Sequence, residues 1–428
     1  MSTAKEDNTL FDKEIETMPF EQRETYYLEE LKKIIKHAYA NAPAVRKKFD
    51  EANFDPVQFK TIQDLNKIPI VKKEELKNAQ RQSPPFGGYL GVSMDDLQRI
   101  YVSPGPIYDP EEKGHQRLKE AKMLHAHGFG PGERVIVTLS YHMVPAGLLF
   151  DKALREAGAM VIPAGVGGTD LQVQVIKELQ VTGYIGTATF LLNLIRKAEE
   201  KGHDIPGDFP IKTALLTAEW VSPVIRQRLE QDYSIHTWQG YGTADIGLFA
   251  YECEHNSGMH LSDDVYAEIV DPNTGQRVEA GETGEVVVTH FNKTYPLIRF
   301  GTGDLSYLDT KPCQCGRTSP RLIKIVGRVG DSFKVRGLFI HASQVQEAVS
   351  AISGIVKYSM VITGSKKGDE LTLKVELEDR ALNRDELTPN LLQRIKEVCG
   401  LKTDRIEFVK RGILGVEPKP LVDSRNWE

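Results

Sequence analysis

Residues 134–163 read RVIVTLSYHMVPAGLLFDKALREAGAMVIP. A short β-branched run, Arg134 to Leu139, gives way to a stretch that reads as a helix through Gly158. A second short apolar run, Ala159 to Pro163, follows. Apolar runs alternating with helices predict a parallel α/β sheet. The alternation continues on both sides. Upstream, a helix-like stretch from Arg117 to His127 stops at Gly128-Phe-Gly-Pro-Gly132, where glycine and proline break helical geometry. Downstream, Asp170–Val181 leads into Tyr184-Ile-Gly186, and Phe190–Lys201 into Ile211–Leu216. The start is also helical: Tyr27, Leu28, Leu31, Ile34, Ile35 and Ala38 recur at helical spacing within Glu21–Ala40. Pro56, Pro69 and Pro84-Pro85 then punctuate a surface region.

The texture changes after Tyr241. Val265–Asp271, Glu285–Thr289 and Leu322–Val326 are β-rich, with Asn273-Thr-Gly275 and Gly281-Glu-Thr-Gly284 as turns. They predict a β subdomain over about 248–326. From Gly327 the order becomes strand, helix (Ser343–Ile352), strands (Met360–Thr363 and Leu371–Glu378), helix (Thr388–Cys399) and strand (Arg405–Val409). That is an α+β module of ordinary domain size.

Bulk properties narrow the function. The 428 residues exceed what one hydrophobic core holds comfortably. A net charge of −6 gives no reason to expect nucleic acid or an anionic membrane surface as partner. The first residues, MSTAKEDNTLFDKE, are polar and acidic, unlike a signal peptide. The most apolar region, Val135–Val161, is interrupted by Asp151, Lys152, Arg155 and Glu156 and falls short of the ~20 apolar residues of a membrane helix. A cytoplasmic protein is expected. In that setting clustered cysteines read as a metal site before they read as disulfides. Cys253-x6-His260 and Cys313-x-Cys315 supply three thiolates and an imidazole, a complete tetrahedral set for zinc, with His255 as a substitute for His260 and unrelated free thiols as the alternative.

Three blocks carry more specific information: WQGYGTADIG at 238–247, PLIRFGTGD at 296–304, and CGRTSPR at 315–321 followed by GRVGDSFKVRG at 327–337 and HASQVQE at 341–347. With TAEW at 217–220 and GGTDLQ at 167–172, their order and spacing closely resemble the signature blocks of phenylacetate-CoA ligases, and the likeness covers most of the chain from about residue 100. The resemblance implies the adenylate-forming ligase fold: a large N-terminal domain (1–327) with parallel α/β sheets and the β subdomain, a hinge (328–331), and a small mobile α+β C-terminal domain (332–428). It implies an acid–thiol ligase reaction in two steps. A carboxylate, by analogy aromatic or arylacetic, attacks the α-phosphate of ATP, and coenzyme A then takes the acyl group. ATP, Mg2+, coenzyme A and a structural Zn2+ are the implied cofactors, and a homodimer the implied assembly.

The same resemblance places Ala218, Glu219, Gln239, Gly240, Tyr241 and Gly242 around the adenine and Thr243 on the α-phosphate. It places Asp245, where the family has Glu, on magnesium, Asp304 on the ribose hydroxyls and Arg328 against the nucleotide. The chemistry suits these roles: a carboxylate accepts from two hydroxyls, and an aromatic face with close glycine backbone suits a flat ring. Lys419, in EPKPLVDSR at 417–425, matches the terminal adenylation lysine, with Lys410 as the alternative. Gly330 and Asp331 stand at the hinge, and Arg336 and Gly337 where coenzyme A would pass. Tyr141, His142 and Gly167 fall at the acyl group; for His142, packing against the sheet is preferred over a role in orienting the carboxylate.

One block departs from the pattern. The family's phosphate loop reads roughly SSGTTGKP, and this chain has SPGPIYDP at 103–110, keeping only Ser103, Gly105 and Pro110. Prolines remove N–H donors, and Asp109 puts negative charge where polyphosphate belongs. The departure leaves a second reading beside catalysis, a protein that binds AMP and coenzyme A without turning over ATP.

Overall fold

The computed structural model describes residues 10–103, 106–114, 118–205, 207–219, 221–329, 332–336, 338–365, 368–378 and 383–424. They fall into two compact units, one of 1–282, 286–302 and 307–324, the other of 283–285, 303–306 and 325–428.

In the first unit a nine-stranded sheet carries the fold. Five neighbours, His236–Thr243, Thr213–Leu216, Gly183–Gly186, Arg134–Val137 and Met160–Pro163, run parallel in that order. Successive strand residues face opposite sides of a sheet, and both sides are used here. Val135 and Val137 join Phe129, Phe150 and Leu154 on one face, while Ile136 joins Ile176, Leu191 and Ile195 on the other. That double burial explains why the strands read as unbroken apolar runs. The helices begin where the caps dictate. Thr187 accepts from Phe190 N at 3.2 Å to open Ala188–Glu200, and Ser222 followed by Pro223 opens Pro223–Gln231.

The β-rich stretch after Tyr241 serves two sheets. Gly247–Glu252, Met259–Leu261, Arg321–Leu322 and Leu308–Asp309 extend the nine-stranded sheet in antiparallel fashion. Val265–Val270 and Gly284–His290 belong to another sheet, in which Val71 and Lys72 pair in parallel with Phe300 and Gly301. Arg299 locks the entry to that strand. It sits at φ +51°, is 1% exposed, and directs Nε to Glu268 at 3.0 Å, with its other nitrogens on the carbonyls of Ile68 (2.7 Å) and Gly275 (2.9 Å).

In the second unit, Gly368–Leu377 is flanked by Ile355–Ser365 and Arg405–Val409, with Leu421–Asp423 beyond Ile355–Ser365. Helices Ala342–Ser350 and Arg384–Cys399 share with them a core of Val345, Val349, Met360, Ile362, Leu373, Leu391 and Ile395. Among the described residues no helix is long and apolar enough to cross a membrane.

Truncating Arg299 to Ala strands the fully buried Glu268 carboxylate, whose pKa burial already raises. The expected cost is about 3–5 kcal/mol, read as a lowered denaturant midpoint. Glu268→Gln, which keeps an acceptor for the guanidinium, should cost less.

Candidate active site and metal centre

Strand His236–Thr243 carries the block richest in expected site residues, and its glycines are there for lack of space. A Cβ on Gly240 would stand 2.8 Å from Leu248 Cδ1, and one on Gly242 would stand 2.2 Å from the Gly247 carbonyl. The Gln239 amide donates to Glu252 Oε2 at 2.7 Å, and Arg226 holds the same carboxylate at 2.7 and 2.9 Å. Tyr241 packs edge-on against Phe249, ring centroids 5.0 Å apart. Beyond the strand, Thr243 Oγ1 accepts from Ile246 N at 3.2 Å, closing the turn that presents Asp245. The Asp245 side chain is fully buried; Lys73 Nζ lies 3.2 Å from Oδ2, and Oδ1 has no hydrogen-bond partner.

Ser103 and residues 107–110 lie in a strand pair. Leu97–Ser103 and Ile107–Glu112 pair as an antiparallel hairpin, Ser103 opposite Ile107 and Tyr101 opposite Asp109. Burial alternates along the second strand, so Ile107, Asp109 and Glu111 face inward. Asp109 is 5% exposed and neither carboxylate oxygen has a hydrogen-bond partner in geometry. The Ser103 hydroxyl, close enough to favour its charged form, donates to the Ile107 carbonyl at 3.3 Å. Asp109 and Asp245 line one open cleft of about 520 Å³ together with Leu149, Gly247, His290 and Thr294. Burial first, and then Asp245, push the Asp109 carboxyl up to about 7, against the opposing effects of Ser103 and Lys73.

The other expected residues of this unit are dispersed over three loops. Ala218 adopts φ +67° just past strand Thr213–Leu216, and Glu219 Oε1 accepts from Thr189 N (2.7 Å) and Oγ1 (2.8 Å). Tyr141 is half-buried and forces the lack of a side chain at Gly147, where a Cβ would stand 2.6 Å from its ring. His142 is exposed, which corrects the expectation that it packs on the sheet: its amide turns back to Ser140 Oγ at 3.1 Å and the ring is left outside. Gly167, at φ +80°, offers its carbonyl to Gln172 Nε2 at 2.6 Å.

Within the second unit Asp304 and Arg328 are register partners on antiparallel strands, with Nε 2.8 Å from Oδ1; Asp304 is buried while the Arg328 side chain is 70% exposed. Arg336, at φ +52°, directs its guanidinium to the carbonyls of Asp369 and Lys402 and to Asp404. Lys419 and Lys410 are both exposed, and the Lys419 carbonyl accepts from Ser359 Oγ at 2.8 Å. Gly330, Asp331 and Gly337 lie outside the described residues.

Cys253, His260, Cys313 and Cys315 converge at the antiparallel end of the large sheet, all four buried, with their ligand atoms within 4.8 Å of one another. Cys253 Sγ and Cys313 Sγ are 3.6 Å apart, and Cys315 Sγ is 3.4 Å from His260 Nε2. Metal–sulfur bonds of ~2.3 Å in a tetrahedron predict edges of about 3.8 Å, so the pocket has the right size. His260 Nδ1 faces the Ser319 carbonyl at 3.3 Å, which keeps the proton there and turns the Nε2 lone pair toward the thiols. His255 is not part of the cluster.

Lys73 and Glu252 escaped the sequence reading. Each acts across a long separation, Lys73 on Asp245 and Glu252 on Arg226 and Gln239, and neither sits in a pattern that marks it.

The raised pKa of Asp109 has a testable sign. Between the unfolded carboxylate value of about 3.9 and about 7 the folded state holds a proton that the unfolded state releases. The stability this contributes is present at low pH and lost as pH rises through the folded value. In magnesium-free buffer Asp109→Asn should therefore gain on the parent by roughly a few kcal/mol between pH 4 and 8. Parallel stability profiles for the two proteins would contradict the assignment.

Comparison with known proteins adds the family. A family model described as AMP-binding enzyme matches residues 115–292. The phenylacetate-coenzyme A ligase of Thermus thermophilus is 30% identical over 427 residues, covering 96% of this chain and 94% of that protein. The Escherichia coli phenylacetate-coenzyme A ligase is 31% identical over 410 residues, covering 91% and 92%. Among solved structures, an open conformation of 2-hydroxyisobutyryl-CoA ligase in complex with 2-HIB-AMP and CoA matches with a TM-score of 0.87 at 27% identity, over 99% of this chain and 96% of that one. Near-full-length identity at this level, on the adenylate-forming fold that the strands and blocks predict, decides the matter: the chain belongs to the phenylacetate-CoA ligase family and is an AMP-forming carboxylate–CoA ligase.

Proposed function

We propose that the acid this ligase activates is aromatic or arylacetic. The observation that carries the reading is the 30–31% identity, over nearly the whole chain, to ligases named for phenylacetate. The reaction joins the acid to coenzyme A in two displacements. A carboxylate oxygen attacks the α-phosphorus of ATP and expels pyrophosphate, and the thiol of coenzyme A then attacks the acyl carbon and expels AMP.

In this reading the residues divide the work as follows. Ala218, Glu219, Gln239, Gly240, Tyr241 and Gly242 enclose the adenine; the tight backbone at Gly240 and Gly242 supports this by keeping side chains out of the way. Ser103 stands at the phosphates and Thr243 donates its hydroxyl to the α-phosphate. Asp304 accepts from the ribose hydroxyls, held in place by Arg328, whose exposed guanidinium also meets the nucleotide. Tyr141, His142 and Gly167 contact the acyl group; the exposure of His142 suits a ligand contact. Arg336 and Gly337 guide coenzyme A, and residues 328–331, with Gly330 and Asp331, form the hinge between a nucleotide-binding domain and a mobile one of 332–428. Lys419 supplies a cation for charge growing on the α-phosphate. Asp245 would hold Mg2+, for which its unpartnered Oδ1 fits, and bound there the ion would screen phosphate charge. Cys253, His260, Cys313 and Cys315 would hold zinc as a structural cross-link away from the chemistry. The working form is a homodimer.

Four measurements test this. With ATP, Mg2+ and coenzyme A, an acid panel should yield AMP and an aryl or arylacetyl thioester by mass spectrometry; preference for a short aliphatic acid would overturn the substrate reading. Asp304→Ala should lower kcat/KM for ATP by about ten- to a hundredfold, the range for a lost charged hydrogen bond. Lys419→Ala should slow adenylation by roughly 10²-fold yet leave thioester formation from a supplied acyl-adenylate intact; if Lys410→Ala behaves this way instead, the role passes to Lys410. Metal analysis of the purified protein should return one zinc per chain, lost in Cys315→Ala.

A further inference from the structure

We propose that Asp109 and Asp245 together form a divalent-cation site that exists before nucleotide arrives, so that the phosphates are gripped through a resident metal ion instead of backbone amides of the 103–110 segment. The proposal rests on the reading that the Asp245 turn faces the phosphates; Asp109 and the order of binding are what it adds.

The hairpin register does the placing. Because residues 107, 109 and 111 share one face of their strand, the acid at 109 is driven inward, to the cleft that Asp245 also lines. Three of the four carboxylate oxygens, both of Asp109 and Oδ1 of Asp245, have no hydrogen-bond partner in geometry, and the side chains are 95% or more buried. Buried acids in this state need a proton or a cation.

Among the described residues, Arg99, His290 and Lys119 near the cleft are engaged elsewhere. Lys73 is the neighbouring cation, and its ammonium is on Asp245 Oδ2 at 3.2 Å. Arg99, 3.5 Å away, and Gln98, 3.1 Å away, are turned to Glu111, as is the Tyr101 hydroxyl. Glu112 accepts from Thr294 Oγ1 at 2.6 Å. His290 and Lys119 are both on Asp264, at 3.3 and 2.9 Å. Among the described residues, the two inward carboxylates share Lys73. A divalent ion between them balances the charge and takes up the unpartnered oxygens. An all-oxygen donor set with room for water or phosphate oxygens suits Mg2+ or Mn2+, not a thiolate-preferring metal.

The same hairpin explains why an ion would be needed. Pro106 and Pro110 have no N–H, and the Tyr108 amide is bonded to Gln80 Oε1 at 2.9 Å. Few donors remain in 106–110 for an anion, whereas a metal ion on Asp109 would present positive charge at the same place.

The test is Mn2+ binding to the full chain, its cysteine site first brought to full zinc occupancy, followed by the paramagnetic resonance signal of free Mn2+. The expected result is one Mn2+ bound per chain without nucleotide, displaced by Mg2+, more tightly at pH 8 than at pH 6, and at least about tenfold weaker in Asp109→Asn and in Asp245→Asn. Glu112→Gln, on the same cleft wall, should bind as the parent does. Asp109→Asn removes a buried charge, and its thermal unfolding shows directly that it folds. Mn2+ binding only when ATP is present, and equally in Asp109→Asn, would overturn the proposal while sparing Asp245 as the nucleotide's magnesium ligand. Binding without ATP that survives Asp109→Asn overturns it too. No Mn2+ binding with or without ATP would overturn both.

Discussion

Strand His236–Thr243 is hydrogen-bonded in parallel to Thr213–Leu216 on one side and antiparallel to Gly247–Glu252 on the other, and the large unit is organised around that change of direction. Close to the reversal the facing backbone leaves no room for a Cβ at Gly242, and at Gly240 a Cβ would run into the Leu248 side chain. The half-buried Glu252 carboxylate then ties the pair together by accepting from the Gln239 amide while Arg226 neutralises it. The reversal also leaves a short turn, braced by Thr243, that can aim one side chain, and that side chain is Asp245.

Where local physics decides structure, the sequence was a sufficient guide. Strands 134–137, 183–186 and 213–216 are buried on both faces, so their apolar runs could hardly be anything else, and Thr187 and Ser222 announce the helices that follow them. The cysteine–histidine cluster was equally plain, because soft ligands in that spacing have few other uses. Leu322–Val326 is less clear: it reads as a strand, but among the described residues only Arg321–Leu322 is paired as strand, with one further bond from Ile323 N to the Tyr307 carbonyl. The strand Ile107–Glu112 is hard to read for a related reason. Three prolines, a glycine and an acid in 103–110 look like a loop until the partner strand, with its alternating burial, shows which residues must point inward.

The electrostatics lay furthest from view. Lys73, Asp109 and Asp245 come from separate parts of the chain, and no window of sequence contains two of them together with the third. Composition reports a mild net charge of −6 and cannot say that several acids line a single cleft. Relatedness supplies what composition cannot, that adenylation and thioester formation are the chemistry; it does not explain why this chain has SPGPIYDP at 103–110. That question belongs to the particular side chains of this chain.

The nine-stranded sheet has two ends of unlike character. At one, Leu308–Asp309 and Arg321–Leu322 lie beside the cysteine cluster, where a cross-link would fix the chain around them. At the other, Met160–Pro163 has a neighbour on one side only among the described residues, and the Met160 side chain is half exposed. An unpaired edge is a template on which another chain can add a strand, and the usual remedies are brevity and proline. Both are present: the strand is four residues long and closes on Pro163. Lengthening this edge or replacing its proline would touch none of the residues that line the cleft, yet it would give a concentrated solution of the enzyme a route to aggregation that the native sequence blocks.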